Sequence, residues 1–195
     1  MNLTLIFAII MILGASNIAN PSDMTFEEAM SGTKAPKEMI DSLVLIEVEY
    51  YNFNNKLSRG QLFINKVVEQ DIREAFELIK KEHFPIDKVI PIVKYGWDDN
   101  KSMSDNNTSA FNYRNIANTN RLSNHSWGRA IDINPFQNPA VYSDGKISPI
   151  GSVYNPKAAG TFTAESELVK FFKKRGWRWG GDWTTLKDYQ HFDKP

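Results

Sequence analysis

The chain contains no cysteine and only three histidines, His83, His125 and His191, among its 195 residues. The absence of cysteine excludes a disulfide scaffold, a thiol nucleophile, an iron–sulfur cluster and any zinc site built on thiolates. A metal ion in this protein must therefore be held by histidine and carboxylate side chains. Because histidine is so scarce, a histidine-based site has few possible forms.

The sequence also lacks net charge, because 23 Lys and Arg residues balance 23 Asp and Glu residues. A neutral chain has no overall field that draws it to nucleic acid or to an anionic membrane surface, so neither partner is expected. Twelve Phe, seven Tyr and five Trp are too many for a disordered chain. The length suits one folded domain, which we expect to be monomeric.

Residues 3–15 form an apolar run, LTLIFAIIMILGA. Thirteen residues are too few to cross a bilayer of about 30 Å comfortably, and small residues from Gly14 to Ala19 offer cleavage sites. We therefore predict a secretory signal peptide over residues 1–20 and an exported protein, in the periplasm, at the cell surface or secreted. No Lys or Arg precedes Lys34, so an uncleaved membrane anchor is the alternative.

Hydrophobic patterning divides the rest of the chain into a polar linker over residues 21–38 and a folded domain over residues 39–195. Period-2 alternation is typical of half-buried strands, and apolar residues three and four apart are typical of helices. The patterns predict strands at 43–51, 61–64, 88–95 and 128–134, and helices at 66–83 and 163–175. A polar stretch at 97–120 is too long for an ordinary connection, which indicates a functional loop, and 135–160 is a second long loop.

The residues that carry chemistry lie in two segments, SNHSWGRAID at 123–132 and DYQH at 188–191. Two imidazoles and one carboxylate are a common ligand set for catalytic zinc, with a fourth position left for water. The two segments supply one such set: His125, Asp132 and His191. The remaining histidine, His83, follows a helix and is expected to be exposed.

Asp188 lies three residues before His191, so it would sit beside the metal without binding it. There it would act as a general base that takes a proton from the attacking water and passes it to the leaving amine. Taken alone, the pair His125 and Asp132 and the pair Asp188 and His191 each have a plainer interpretation, because a histidine near an aspartate more often forms a structural hydrogen bond. Residues near a chain terminus, moreover, are usually solvated.

Together with their surroundings, these segments resemble the zinc D-Ala-D-Ala carboxypeptidase and L-Ala-D-Glu endopeptidase family of bacterial cell-wall enzymes, which shares a fold with the Hedgehog signalling domain. The matching motifs are S-x-H-x-x-G-x-A-x-D at 123–132, D-I-N-P at 132–135, and G-W-x-W-G-G-x-W followed by D-x-x-H-F at 176–192. The segment SAFNYR at 109–114 resembles the family's arginine-bearing loop. The resemblance extends from about residue 43 to residue 195.

This resemblance implies one zinc ion per chain, bound by His125, Asp132 and His191, with Asp188 as general base. It also implies that Arg114 binds the scissile carbonyl and stabilises the oxyanion as negative charge develops.

Other residues are weaker candidates for contact with the substrate. Arg121 is a nearby competitor for the role of Arg114, and Ser123 either supports the metal site, binds substrate or is a turn residue. Trp179 and Tyr189 are candidate substrate contacts, although aromatic clusters more often fill a core. Asp98 and Asp99 lie in the polar loop, where solvation is the plainer interpretation.

The resemblance implies an α+β fold, with an antiparallel sheet, flanking helices and a zinc cleft on the sheet. It implies hydrolysis of an amide bond in the peptidoglycan stem peptide, the expected partner of this protein. The D-x-x-H spacing looks more like the endopeptidase branch than the E-x-x-H of vancomycin-resistance carboxypeptidases, so both bonds remain candidates. The alternative is a non-catalytic zinc module that binds cell wall or protein.

Overall fold

The computed structural model describes residues 22–117 and 119–195, and the predicted signal peptide lies outside these residues. The described chain is an α+β fold, as predicted. Its helices are α1 (Phe26–Ala29), α2 (Lys37–Asp41), α3 (Glu69–Lys81), α4 (Asp99–Ser104) and α5 (Glu167–Lys174). Its strands are β1 (Leu43–Tyr51), β2 (Leu57–Asn65), β3 (Lys88–Val89), β4 (Asn107–Thr108), β5 (Ala130–Asp132), β6 (Ala140–Tyr142), β7 (Ile147–Ser148), β8 (Arg178–Trp179), β9 (Leu186–Asp188) and β10 (His191–Asp193).

The strands form several small sheets, which corrects the prediction of one antiparallel sheet. The antiparallel sheets are the β1–β2 hairpin and two three-stranded sheets, β5–β10–β8 and β7–β6–β9, whereas β3 and β4 pair in parallel. After β2 each strand is only two or three residues long. Proline is one reason: the strand predicted over 88–95 ends at Val89, because Pro91 begins a 3-10 helix over Ile92–Tyr95.

Helix α3 covers the β1–β2 hairpin with the apolar stripe predicted from the sequence. Ile72, Phe76 and Ile79 on this stripe are buried in the main core. The helix begins later than predicted, because Lys66–Val68 forms a 3-10 helix capped by the Asn65 side chain. Acidic residues in its first turn and lysines in its last turn complement the helix dipole.

Helix α5 buries Leu168, Val169 and Phe172 in the same core. Its N-cap is Ser166, three residues after the predicted cap, Thr163. None of the helices within 22–117 and 119–195 has both the length and the apolar character that crossing a membrane requires.

The segment expected to be a linker packs against the domain, because it carries apolar side chains that a solvated linker would leave exposed. Phe26 meets Phe63 of β2 edge to face, with ring centroids 5.0 Å apart. The Gln61 side chain accepts a hydrogen bond from the Met24 amide and donates one to the Met24 carbonyl, both at 3.0 Å. The indole Nε1 of Trp97 donates to the Ser31 carbonyl at 2.9 Å. The described part of this segment is thus built into the fold.

Replacing Phe26 with alanine is therefore expected to lower the free energy of unfolding by about 2 kcal/mol, less than the 3–5 kcal/mol typical of a fully buried phenylalanine. Urea denaturation checks this value. Glu27→Ala, on the exposed side of the same helix, should change stability by less than about 0.5 kcal/mol. Equal, small effects of both substitutions would show that the segment does not contribute to folding stability.

Candidate metal centre and active-site cavity

The three predicted ligands are carried by two paired strands and one short turn. Strands β5 and β10 run antiparallel, with His191 directly opposite Asp132. His125 lies in a 3-10 helix over Asn124–Trp127, which the Ser123 hydroxyl caps and Gly128 ends at φ 63°. A Cβ at Gly128 would meet the Asn65 amide nitrogen at 2.7 Å, so glycine is needed where this turn approaches β2.

The ligand atoms converge on one point. His125 Nε2 lies 3.1 Å from Asp132 Oδ2 and 3.2 Å from His191 Nδ1, and His191 Nδ1 lies 2.9 Å from Asp132 Oδ1. Tetrahedral zinc with bonds of about 2.0–2.1 Å places its ligand atoms roughly 3.3 Å apart. The three side chains thus form a buried group that fits a metal ion with little movement.

Surrounding groups contact both imidazoles, through a hydrogen bond at His125 and an ion-pair contact at His191. His125 Nδ1 lies 2.5 Å from the Ala110 carbonyl; when Nδ1 carries the ring proton, it donates to this carbonyl and leaves Nε2 free to bind a metal. The other ring nitrogen of His191, Nε2, faces Asp193 Oδ2 at 3.6 Å. Asp193 is itself held by Arg178 Nε at 2.8 Å and Asn124 Nδ2 at 2.7 Å.

The electrostatics keep the ligand carboxylate ionised. Burial alone would raise the pKa of Asp132, but the two neighbouring imidazoles outweigh it and hold that pKa well below its ordinary value. In the same way, contacts with His191 and Arg178 outweigh burial and lower the pKa of Asp193. An ionised carboxylate is the form that binds a metal.

Asp188 lies on β9, where it pairs with Ala140 of β6 and lines the same cavity as the three ligands. Its Oδ1 is buried and has no hydrogen-bond partner among the described residues. Burial raises the pKa of Asp188 to about 6, with His191 opposing the shift and Asp132 adding to it. A carboxyl group that titrates near neutrality is suited to accepting and returning a proton.

A cavity of about 440 Å³ opens over the ligands and Asp188. Arg114 lines it and lies 3.0 Å from Asp99 through Nη2, while its Nε is buried with no hydrogen-bond partner in the described ranges. Arg121 and Ser123 line the same cavity. The cavity therefore combines a metal-binding group, a proton acceptor and cationic side chains, which together can polarise and hydrolyse an amide.

A family model described as D-alanyl-D-alanine carboxypeptidase matches residues 117–194. The resemblance predicted from the sequence is confirmed. The matched segment contains the three predicted ligands and Asp188 and begins after Arg114. No solved structure matches the chain. The family description names a peptidase, and the buried metal-binding group lies inside the matched segment.

Two predicted substrate contacts lie outside the cavity. Trp179 is 3% exposed in the main core and donates from Nε1 to the Tyr189 carbonyl at 2.9 Å. Tyr189 packs against that core and stacks on Tyr154, with ring centroids 3.6 Å apart. The alternation of strand side chains explains the correction, because Trp179 points into the core and its neighbour Arg178 lines the cavity.

Another tryptophan of the closing motif reaches the cavity. Trp183 lines it, with its ring centroid 5.3 Å from that of His191. His83, the remaining histidine, is exposed and stacks on Tyr51 at 4.1 Å.

Sequence reasoning did not assign Asn124, Tyr142, Arg178 or Asp193 to the site, although all four line the cavity. Asp99, for which solvation was the plainer interpretation, lines it as well. The position of Asp193 was predictable from strand periodicity. Side chains two residues apart on a strand share a face, and Asp193 follows His191 by two. The others meet the site through contacts between distant segments.

Proposed function

We propose that this protein is an exported, zinc-dependent peptidase that hydrolyses an amide bond in the stem peptide of peptidoglycan, between D-Ala and D-Ala or between L-Ala and D-Glu. The observation that carries the proposal is the buried group of His125, Asp132 and His191 with the pKa-raised carboxyl of Asp188 in the same cavity. The matched family's description supports a carboxypeptidase reaction.

The donor set fits zinc, since two imidazole nitrogens and one carboxylate bind it in many catalytic sites. The chemistry that zinc supplies at such a site is polarisation of the scissile carbonyl and acidification of water. Asp132 stays ionised between the two imidazoles, and the Ala110 carbonyl fixes the tautomer of His125. These contacts prepare the ligands before any substrate enters.

The chain's own residues then move the proton and stabilise charge. Asp188 accepts a proton from the attacking water, because its Oδ1 has no competing partner among the described residues. The same carboxyl returns the proton to the departing nitrogen, which its pKa of about 6 permits near neutral pH. Arg114 donates hydrogen bonds to the carbonyl oxygen as negative charge develops on it.

The test is to incubate the zinc-loaded chain lacking residues 1–20 with defined muropeptides, including pentapeptide stems, and to weigh the products by mass spectrometry. Loss of one alanine establishes a carboxypeptidase, and cleavage between L-Ala and D-Glu establishes an endopeptidase. A chelated sample serves as the control. No product from any stem, with one zinc bound per chain, would contradict the proposal and favour a non-catalytic binding module.

Gly180 of the closing motif gives a prediction about how Asp188 is placed. A Cβ at Gly180 would overlap the Asp188 carbonyl oxygen and lie 2.8 Å from the Asp188 Cβ. Gly180→Ala should therefore displace Asp188 and lower kcat by about tenfold to a hundredfold, with zinc still bound.

A matched control for this substitution is Gly60→Ala. Its Cβ would overlap the Val89 carbonyl oxygen and approach the Val89 Cβ at 2.5 Å, in a part of the fold that does not line the cavity. Both variants should lose thermal stability, and only Gly180→Ala should lose turnover per folded molecule. Equal kcat values for the two variants would show that Gly180 does not position Asp188.

A further inference from the structure

The segment predicted to be a polar loop, residues 97–120, contains helix α4, and the first residue of α4 carries a carboxylate that contacts the cation of the cavity. Asp99 Oδ2 lies 3.0 Å from Arg114 Nη2, and Asp99 Oδ1 accepts a hydrogen bond from Asn112 Nδ2 at 3.3 Å. The two paired side chains are only 23% and 29% exposed, and both line the cavity. A partly buried pair is screened less by water and salt than a surface pair.

The backbone and the guanidinium group of Arg114 are held by different contacts. Its backbone is fixed from the other side, since its amide donates to Ser126 Oγ at 2.9 Å and its carbonyl accepts from Ser126 Oγ at 2.7 Å and from the Ser123 amide at 3.0 Å. Within residues 22–117 and 119–195, Asp99 is the one ion-pair partner of the Arg114 side chain. The pair engages Nη2, and the buried Nε has no hydrogen-bond partner there.

Asp99 itself stands on a fixed support. It lies in the first turn of α4, which the Asp98 side chain caps by accepting from the Lys101 amide at 3.1 Å. Trp97, two residues before Asp99, donates a hydrogen bond to the Ser31 carbonyl and packs edge to face on Phe111, with ring centroids 6.0 Å apart. A carboxylate on such a support can restrict the rotamers of the long arginine side chain.

We propose that Asp99 is a positioning residue, which holds the Arg114 guanidinium where it meets the carbonyl oxygen of the substrate. The expected effect on kcat rests on the proposed function, whereas the expected effect on the order of the Arg114 guanidinium does not. An arginine that must find its orientation in each turnover loses the advantage of a preorganised donor. The ion pair therefore contributes to kcat more than to the binding of substrate.

The kinetic test compares Asp99→Asn with Asp98→Asn. The control makes the same chemical change one residue away, keeps a residue type that caps helices well, and disturbs only an exposed pair with Lys101. Asp99→Asn should lower kcat on the cleaved muropeptide by about tenfold or more with little change in KM, and Asp98→Asn should stay within about twofold. In an Arg114→Ala background, Asp99→Asn should have no further effect.

A second measurement does not depend on activity. The ¹⁵N relaxation of Arg114 Nε, assigned by its absence in Arg114→Lys, should show an ordered guanidinium in the unmodified chain and in Asp98→Asn, and a mobile one in Asp99→Asn. An Arg114 Nε that is equally ordered in Asp99→Asn would overturn the proposal, as would a kinetic loss that persists in the Arg114→Ala background. If the unmodified chain cleaves nothing, the proposed function is contradicted. The relaxation result alone would then decide whether Asp99 positions Arg114.

Discussion

Asp188→Asn is expected to lower kcat on muropeptides by about 10²- to 10⁴-fold, the range that a general acid–base group contributes. Asparagine has the same shape but cannot take a proton from water or return it to the leaving nitrogen. Asp188 is not among the three residues whose ligand atoms converge, so one zinc ion per chain should remain bound. Steady-state kinetics check the loss of kcat, and mass spectrometry checks that zinc remains bound.

The stability of the same variant separates lost chemistry from lost folding. Because the pKa of Asp188 is raised in the folded chain to about 6, its ionised form opposes folding once the pH rises through about 4 to 6. Asparagine removes this cost, so the metal-free variant should be at least as stable as the metal-free unmodified chain at pH 8. Asp182→Asn, at an exposed pair with Lys173, is the matched control and should retain full turnover. A kcat for Asp188→Asn within tenfold of the unmodified value would remove Asp188 from the general-base role.

His125→Ala is expected to weaken zinc binding by about 10³-fold and to abolish turnover, because three protein ligands share a binding free energy of roughly 10 kcal/mol or more. Chelation of the unmodified chain should abolish turnover in the same way, and added zinc should restore it. Titration calorimetry and dialysis against a chelator check the affinity. His83→Ala is the control, since that exposed imidazole stacks on Tyr51 away from the cavity.

These two histidine variants also test the inference that three histidines can form only one zinc site of this kind. With His83 removed the affinity for one zinc ion should be unchanged, and with His125 removed it should fall by about 10³-fold. Undiminished zinc binding by His125→Ala would show that the metal lies elsewhere and would refute the assignment of the three ligands.

The sequence predicted the part of the site that short motifs encode. His125 and Asp132 lie in one ten-residue segment, and the structure brings their ligand atoms to 3.1 Å. The motifs require His191 to come from a separate segment, and the antiparallel pairing of β5 and β10 places it opposite Asp132. Helix α3 was predictable for a different reason, because its apolar stripe is long and regular.

The remainder depends on contacts that no local pattern reveals. Whether Trp179 faces the core or the cavity is decided by the pairing of a two-residue strand, which is too short to show a period. Asp99 contacts Arg114, 15 residues later, and the Trp97 turn before it is bound to Ser31, 66 residues earlier in the chain. Residues 21–38 are mostly polar, yet apolar residues such as Phe26 attach this segment to β2.

The ligands His125 and His191 are 66 residues apart in the chain, and their ring nitrogens are 3.2 Å apart in space. A zinc ion bound by both would link two distant segments of the folded chain. Because these ligands converge only in the folded state, the free energy of zinc binding would add to the free energy of unfolding. Disulfides supply comparable links in many secreted proteins, but this chain has no cysteine. Removal of zinc would therefore lower the stability of the fold as well as stop the proposed reaction.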